Sequence, residues 1–207
     1  MMDGPAALVR LSEGNRRFAA GLRSHELLPM KRLELVDGQA PFAIILGCSD
    51  SRVPAEIVFG QGLGDLFVIR VAGNVVASSQ VGSVEFAAEQ FDTRLVVVLG
   101  HTQCGAVLAT VDELLHPGGT HSRGIRSIVD RIRPSVEGLI STGLGANHDA
   151  LVRQAVRANV RASAGHLRHG SEILEERIER DGLLIVGAEY SLETGLVDFF
   201  DGVPAGV

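Results

Sequence analysis

Four short apolar runs constrain this chain more than any other feature. They lie at 42–47 (FAIILG), 66–71 (LFVIRV), 95–99 (LVVVL) and 183–188 (LLIVGA). Each is continuous rather than alternating, as strands covered on both faces are. Between them the pattern is helical. Residues 6–22 space Leu8, Leu11, Phe18 and Leu22 near the helical period. Residues 79–91 and 103–115 are further helix candidates. Asn147 or Asp149 is placed to cap a helix with Leu151, Val152, Ala155, Val156 and Val160 on one face. A charged helix over 171–181 ends at Gly182, a residue suited to the position after a helix. Strands alternating with helices predict an α/β fold, a mostly parallel central sheet flanked by helices with right-handed crossovers. Residues 195–200 are expected to add a short edge strand, and the segment between Pro29 and Pro41 to be mostly irregular. The stretch 116–147, rich in Gly, Pro, Ser and His, reads as a surface loop. No internal repeat or linker interrupts the 207 residues, so one domain is expected, with 1–35 as an N-terminal helical arm.

Charge and composition exclude some function classes. The formal charge is −6 and Trp is absent, which argues against a nucleic-acid partner or a base-stacking surface. No run reaches the roughly 20 apolar residues of a membrane span, and the start lacks the apolar core of a signal peptide. A cytoplasmic location is therefore expected. The only two cysteines are Cys48 and Cys104. In a reducing compartment such a pair points to metal binding or catalysis rather than to a structural disulfide.

Both cysteines follow apolar runs. In GCSDSR (47–52) the first run gives way to Cys48, Asp50 and Arg52. In VVVLGHTQCG (96–105) the third gives way to His101 and Cys104. Parallel sheets carry their functional loops at the carboxyl ends of strands, so adjacent first and third strands would bring Cys48, His101 and Cys104 to one rim. Two sulfurs and one imidazole suit zinc, whose catalytic sites keep three protein ligands and leave one position open. Asp50 or water remains for that fourth position. If 48–52 is extended, alternate side chains project together, and Arg52 can pair with Asp50. Cys104, opening a helix, should have a lowered thiol pKa.

CSDSR followed by GHTQCG, with GDLFVIRVAGN between them and GAEYSLETG near the end, resembles the β-class carbonic anhydrase family. The resemblance covers most of the chain. It implies Zn2+ held by Cys48, His101 and Cys104, and the reversible hydration of carbon dioxide to bicarbonate and a proton by a zinc-activated hydroxide. It implies that Asp50 accepts a hydrogen bond from that nucleophile while Arg52 keeps Asp50 anionic. Charge counting adds an expectation: with two thiolates cancelling the zinc charge, Asp50 becomes the fourth metal ligand only in a closed state at low pH, where it gives up Arg52. The resemblance also implies substrate-facing walls at Gln39, Phe67, Ala72 and Phe86, partly supplied across the interface of a homodimer or homotetramer. Ala72 stands where many members carry Val, and Ile45 where one subgroup carries a Trp that lines a bicarbonate site.

Plainer readings compete. Phe67 and Phe86 could be core residues and Gln39 a loop residue, since only analogy makes them walls. His121 is a weak candidate proton shuttle. GQGLGD (60–65) is not a dinucleotide loop, because it precedes a strand instead of opening a helix. The basic run from Arg153 to Arg168 reads as a solvated helix face. Two other functions share the motif: hydrolysis of CS2 or COS on the same zinc scaffold, and a redox or structural zinc module.

Overall fold

A computed structural model describes residues 2–22, 31–119, 122–142 and 147–206. Five strands form one sheet: β1 (Ala43–Gly47), β2 (Leu66–Arg70), β3 (Leu95–His101), β4 (Leu184–Tyr190) and β5 (Val197–Asp201). Their order is β2-β1-β3-β4-β5. The first four are mutually parallel and β5 runs antiparallel at one edge. Every residue of β1 and of β3 is buried, as continuous apolar runs require. The edge strands β2 and β5 are more exposed. β1 and β3 are direct neighbours, with Gly47 level with Leu99.

Side chains alternate across the sheet, so each strand feeds two layers. On one face Ile45, Val97 and Val186 pack against α1 (Gly4–Ala19) and α3 (Ala55–Val58), through Ala7, Leu8, Leu11 and Val58. On the other, Ile44, Val96, Val98 and Ile185 meet α4 (Ser78–Gln90), α7 (His148–His169) and α8 (Glu172–Asp181). A third cluster lies at the carboxyl end of the strands and joins α5 (Gly105–Leu115), α6 (Arg123–Ile140) and α7. Cys48 and Cys104 belong to it. The short α2 (Lys31–Glu34) lies in the segment expected to be irregular.

α1 starts behind Asp3, whose carboxylate accepts from the Ala6 N–H, and ends at Ala19 rather than at residue 22. Leu22 is outside the helix and 61% exposed. α1 spends its apolar stripe on its own chain, and it does so at close range. A Cβ on Gly14 would stand 1.9 Å from the Phe59 carbonyl oxygen. Gly14→Ala must therefore push α1 away from the end of α3. Overpacking of this kind costs about 3 kcal/mol, so the urea midpoint should fall with no change in slope.

The stretch 116–147 is not a loop throughout. Residues 123–140 form α6, an amphipathic helix capped by Ser122, whose hydroxyl accepts from the Ile125 N–H. Pro134 sits inside it. An interior proline costs about 3 kcal/mol, which the burial of Val129, Ile132 and Val136 against α5 and α7 offsets. α7 is capped by Asn147, and Gly182 takes a left-handed conformation after α8. His25 and His121 lie outside the described residues.

Candidate metal centre

β1 ends at Gly47, and the next residue, Cys48, turns into the rim of the sheet with 6% exposure. β3 runs two residues past the register of Gly47 and ends at His101. Gln103 adopts a left-handed φ of 58°, which reverses the chain so that Cys104 becomes the residue capping α5. The result is a buried triad: Cys48 Sγ, Cys104 Sγ and a ring nitrogen of His101 all lie within 4.8 Å of one another. The two sulfurs are 4.0 Å apart.

The histidine is held as a ligand would be. Its Nδ1 lies 2.9 Å from the Thr102 carbonyl oxygen and donates to it. That fixes the tautomer and leaves the Nε2 lone pair free. Nε2 is buried and has no hydrogen-bond partner. A buried nitrogen lone pair beside two thiols lacks only a cation, and the donor set fits zinc.

Asp50 and Arg52 stand at the mouth. Arg52 donates from Nε to Oδ1 at 2.9 Å and from Nη2 to Oδ2 at 2.7 Å, and its backbone N–H reaches Oδ1 at 2.9 Å. This fork-on-carboxylate geometry is the strong form of the pair. Asp50 Oδ2 is also 3.8 Å from His101 Nε2, so the carboxylate faces the triad. The segment is not extended, however. The Val53 N–H donates to the Asp50 carbonyl at 3.1 Å and closes a turn over 50–53. The turn, rather than strand alternation, brings Asp50 and Arg52 together.

Electrostatics follow from these contacts. Hydrogen bonds from Arg52 hold the Asp50 carboxyl well below the usual carboxylate range, and Asp50 in turn raises Arg52. A hydrogen bond from the Cys104 thiol lowers Cys48 to about 4. Cys104 is raised, first because its own proton is engaged by Cys48 and then by burial. The expectation for Cys104 is thus reversed. Two sulfurs this close cannot both ionise without a cation between them, and that outweighs the start of α5. Burial lowers His101, but the neighbouring Cys48 sulfur and the Thr102 carbonyl raise it by more.

Two supporting residues lie within the GDLFVIRVAGN stretch that helped carry the resemblance but were assigned no role from the sequence. Arg70, at the end of β2, donates to the Cys48 carbonyl at 3.1 Å and to the Asp50 carbonyl at 2.6 Å. The Gly73 N–H donates to Cys48 Sγ at 3.3 Å. Arg70 is level with Gly47 across the β1–β2 pair, so register could have placed it.

The expected walls fall in three places within a single chain. Ala72 opens the 3-10 turn Ala72–Asn74, adjacent to Gly73. Phe67 is half-buried on β2, with its ring 6.2 Å from that of Phe86 and 6.0 Å from that of Phe91. Phe86 is 53% exposed on α4. Gln39 is exposed and lines a surface groove of about 510 Å³ with Arg32, Leu35, Val36 and Leu63. No helix among the described residues is long and apolar enough to cross a membrane.

Comparison with known proteins agrees with this geometry. A family model described as carbonic anhydrase matches residues 43–197. Carbonic anhydrase 2 of Mycobacterium tuberculosis is 42% identical over 196 residues, which cover 92% of this chain and 89% of the relative. The carbonic anhydrase of Mycolicibacterium smegmatis is 38% identical, with 93% and 91% covered. Among solved structures, the β-carbonic anhydrase CafA of Aspergillus fumigatus superposes with a TM-score of 0.76 at 25% identity, covering 96% of this chain and 91% of that one. The Coccomyxa β-carbonic anhydrase in complex with acetazolamide gives a TM-score of 0.72 at 24% identity, with 93% and 86% covered. With its sheet order, its buried Cys-His-Cys triad and these relatives taken together, the chain belongs to the β-class carbonic anhydrase family.

Proposed function

We propose that this chain catalyses the reversible hydration of carbon dioxide to bicarbonate and a proton, with zinc held by Cys48, His101 and Cys104. The observation that carries the reading is the Asp50–Arg52 fork beside the triad. A purely structural metal site has no use for an anion kept at its mouth. Two thiolates and a neutral imidazole cancel the charge of a zinc ion, so the Lewis acidity it supplies when bound acidifies water less than a three-histidine centre, where that pKa is about 7.

The chain's own residues supply orientation. Asp50 is an anion and can only accept, so it favours an incoming oxygen that still carries a proton and turns that proton toward itself. Arg52 engages both carboxylate oxygens, which favours Asp50 as an acceptor at the mouth over Asp50 as a fourth ligand. Arg70 pins the carbonyls of residues 48 and 50 and keeps the mouth in register with the triad.

A pH profile follows. The folded pKa of Asp50 is depressed, so its anion and its pairing with Arg52 persist above the ordinary carboxylate range and are lost only in strong acid. Asp50 therefore does not titrate near neutrality. Activity is expected to rise from about pH 6 to about pH 9, governed by the acidity of water at the centre. Stopped-flow hydration rates on protein of measured zinc content test this, and a flat profile would count against it. The same preparation assayed with CS2 and COS separates the sulfur-analogue reaction, since only access to the centre distinguishes the substrates.

The substrate walls and the assembly belong to this reading too. Exposed Leu33, Val36 and Phe86 are apolar surface that a second copy would cover. Fold neighbours from Sordaria macrospora, at 24% identity and a TM-score of 0.74 over 83% of this chain and 86% of that one, are tetrameric. A homodimer or homotetramer would place the exposed Gln39 and Phe86 in a cleft formed between copies.

A further inference from the structure

Asn159 lies in the middle of α7 and is 2% exposed. Its side chain does not serve its own helix. Nδ2 donates to the Gly73 carbonyl at 2.8 Å, 86 residues away. One turn further on, Ser163 Oγ donates to the Asn74 carbonyl at 3.0 Å. Spaced i and i+4, the two side chains share a face of α7 and grip consecutive carbonyls. Between them the chain turns through left-handed conformations, φ of 68° at Gly73, which glycine adopts freely, and 43° at Asn74, which costs a residue with a side chain. Such backbone persists only where its surroundings over-determine it.

The other side of the segment is pressed as closely. A Cβ on Gly73 would lie 2.8 Å from Ile132 Cδ1 of α6 and 3.0 Å from Ala106 Cβ of α5. A residue there must be glycine on both counts, conformation and space. Three helices thus fix the φ and ψ of Gly73. What they fix is a direction, because its N–H is the group that donates to Cys48 Sγ.

We propose that Asn159 is a positioning residue for the metal centre: by holding Gly73, it aims a backbone N–H at the Cys48 sulfur. The inference rests on the triad being a metal site, and not on the identity of the substrate. A hydrogen bond to a ligating sulfur withdraws electron density from it and fixes its orientation, and outer-shell partners of this kind set metal affinity. Satisfying the Gly73 carbonyl alone would make Asn159 structural only. The two roles differ in what reaches the sulfur.

The test uses full-length protein loaded with Co2+, whose thiolate charge-transfer band reports the sulfur electronically, and Zn2+ affinity measured by competition with a chromophoric chelator. Asn159→Leu removes the donor at similar volume. The band should move to longer wavelength, and the zinc dissociation constant should rise about 10–100-fold. Ser163→Ala should move the band the same way by less. Leu167→Ala, a buried cavity variant two turns along α7, should lower the melting temperature and leave band and affinity alone. If Asn159→Leu does not fold, Asn159→Ala takes its place. A folded Asn159 variant with wild-type band and affinity, or an equal shift in Leu167→Ala, overturns the positioning role while the metal site stands. Wild-type protein that takes up neither metal overturns both.

Discussion

Cys104→Ser is expected to lose stoichiometric zinc and, with it, CO2 hydration, by at least about 10³-fold, well beyond the ~10–100-fold that outer-shell changes cost. A serine hydroxyl stays protonated near neutrality and offers a hard, neutral donor where zinc requires a thiolate. The fold should survive. Cys104 is the residue capping α5 and makes no side-chain capping bond there, whereas serine is a favoured cap. The variant should therefore melt no earlier than metal-free wild type, and it should also lose the rise in melting temperature that added zinc gives wild type. Metal analysis, stopped-flow rates and thermal scans on the same samples decide it. Full zinc occupancy in Cys104→Ser would remove the triad from consideration.

Asp50→Asn should leave metal in place and reduce turnover about 10²–10⁴-fold, the range spanned by positioned acid–base groups. The amide matches the carboxylate in shape, so the turn closed by the Val53 N–H should persist. What changes is polarity. An amide presents an NH2 group to Arg52 or to the incoming oxygen, and one of the two meets a donor where it needs an acceptor. Stability should barely move, because the Arg52 side chain is 53% exposed and open ion pairs contribute about 0–1 kcal/mol. Rates normalised to bound zinc separate this from metal loss. Undiminished turnover would favour a redox or structural zinc module, which does not need an anion at that position.

The framework of this fold was legible because apolar runs and buried parallel strands are the same physical fact. The runs at 42–47, 66–71, 95–99 and 183–188 became β1 to β4, and 195–200 overlaps the antiparallel edge strand β5. The triad was legible because both of its halves sit at the ends of adjacent strands. Composition misled at α6, where Gly and Pro hid Val129, Ile132 and Val136 at helical spacing behind a Ser122 cap. The local pKa rule misled at Cys104, because the deciding neighbour is Cys48, 56 residues away. Strand alternation misled at 48–52, where a turn does the same work. Arg70, Gly73 and Asn159 make their contacts through backbone groups, so even the quoted GDLFVIRVAGN stretch assigned the first two no role. Gln39 and Phe86 are a different matter: their proposed role as walls depends on a second copy, which would leave no trace in one chain's spacing.

The level pairing of Gly47 with Leu99 has a consequence for how such a chain can vary. Each buried position in β1 and β3 needs only an apolar group of fitting size, so many replacements are admissible one at a time. An insertion or deletion is not. One residue gained or lost within either strand turns every later side chain to the opposite face and advances its part of the triad by one rise while the other strand's stays put. Relatives that drift far in letters should therefore still agree, residue for residue, in the length of these two segments.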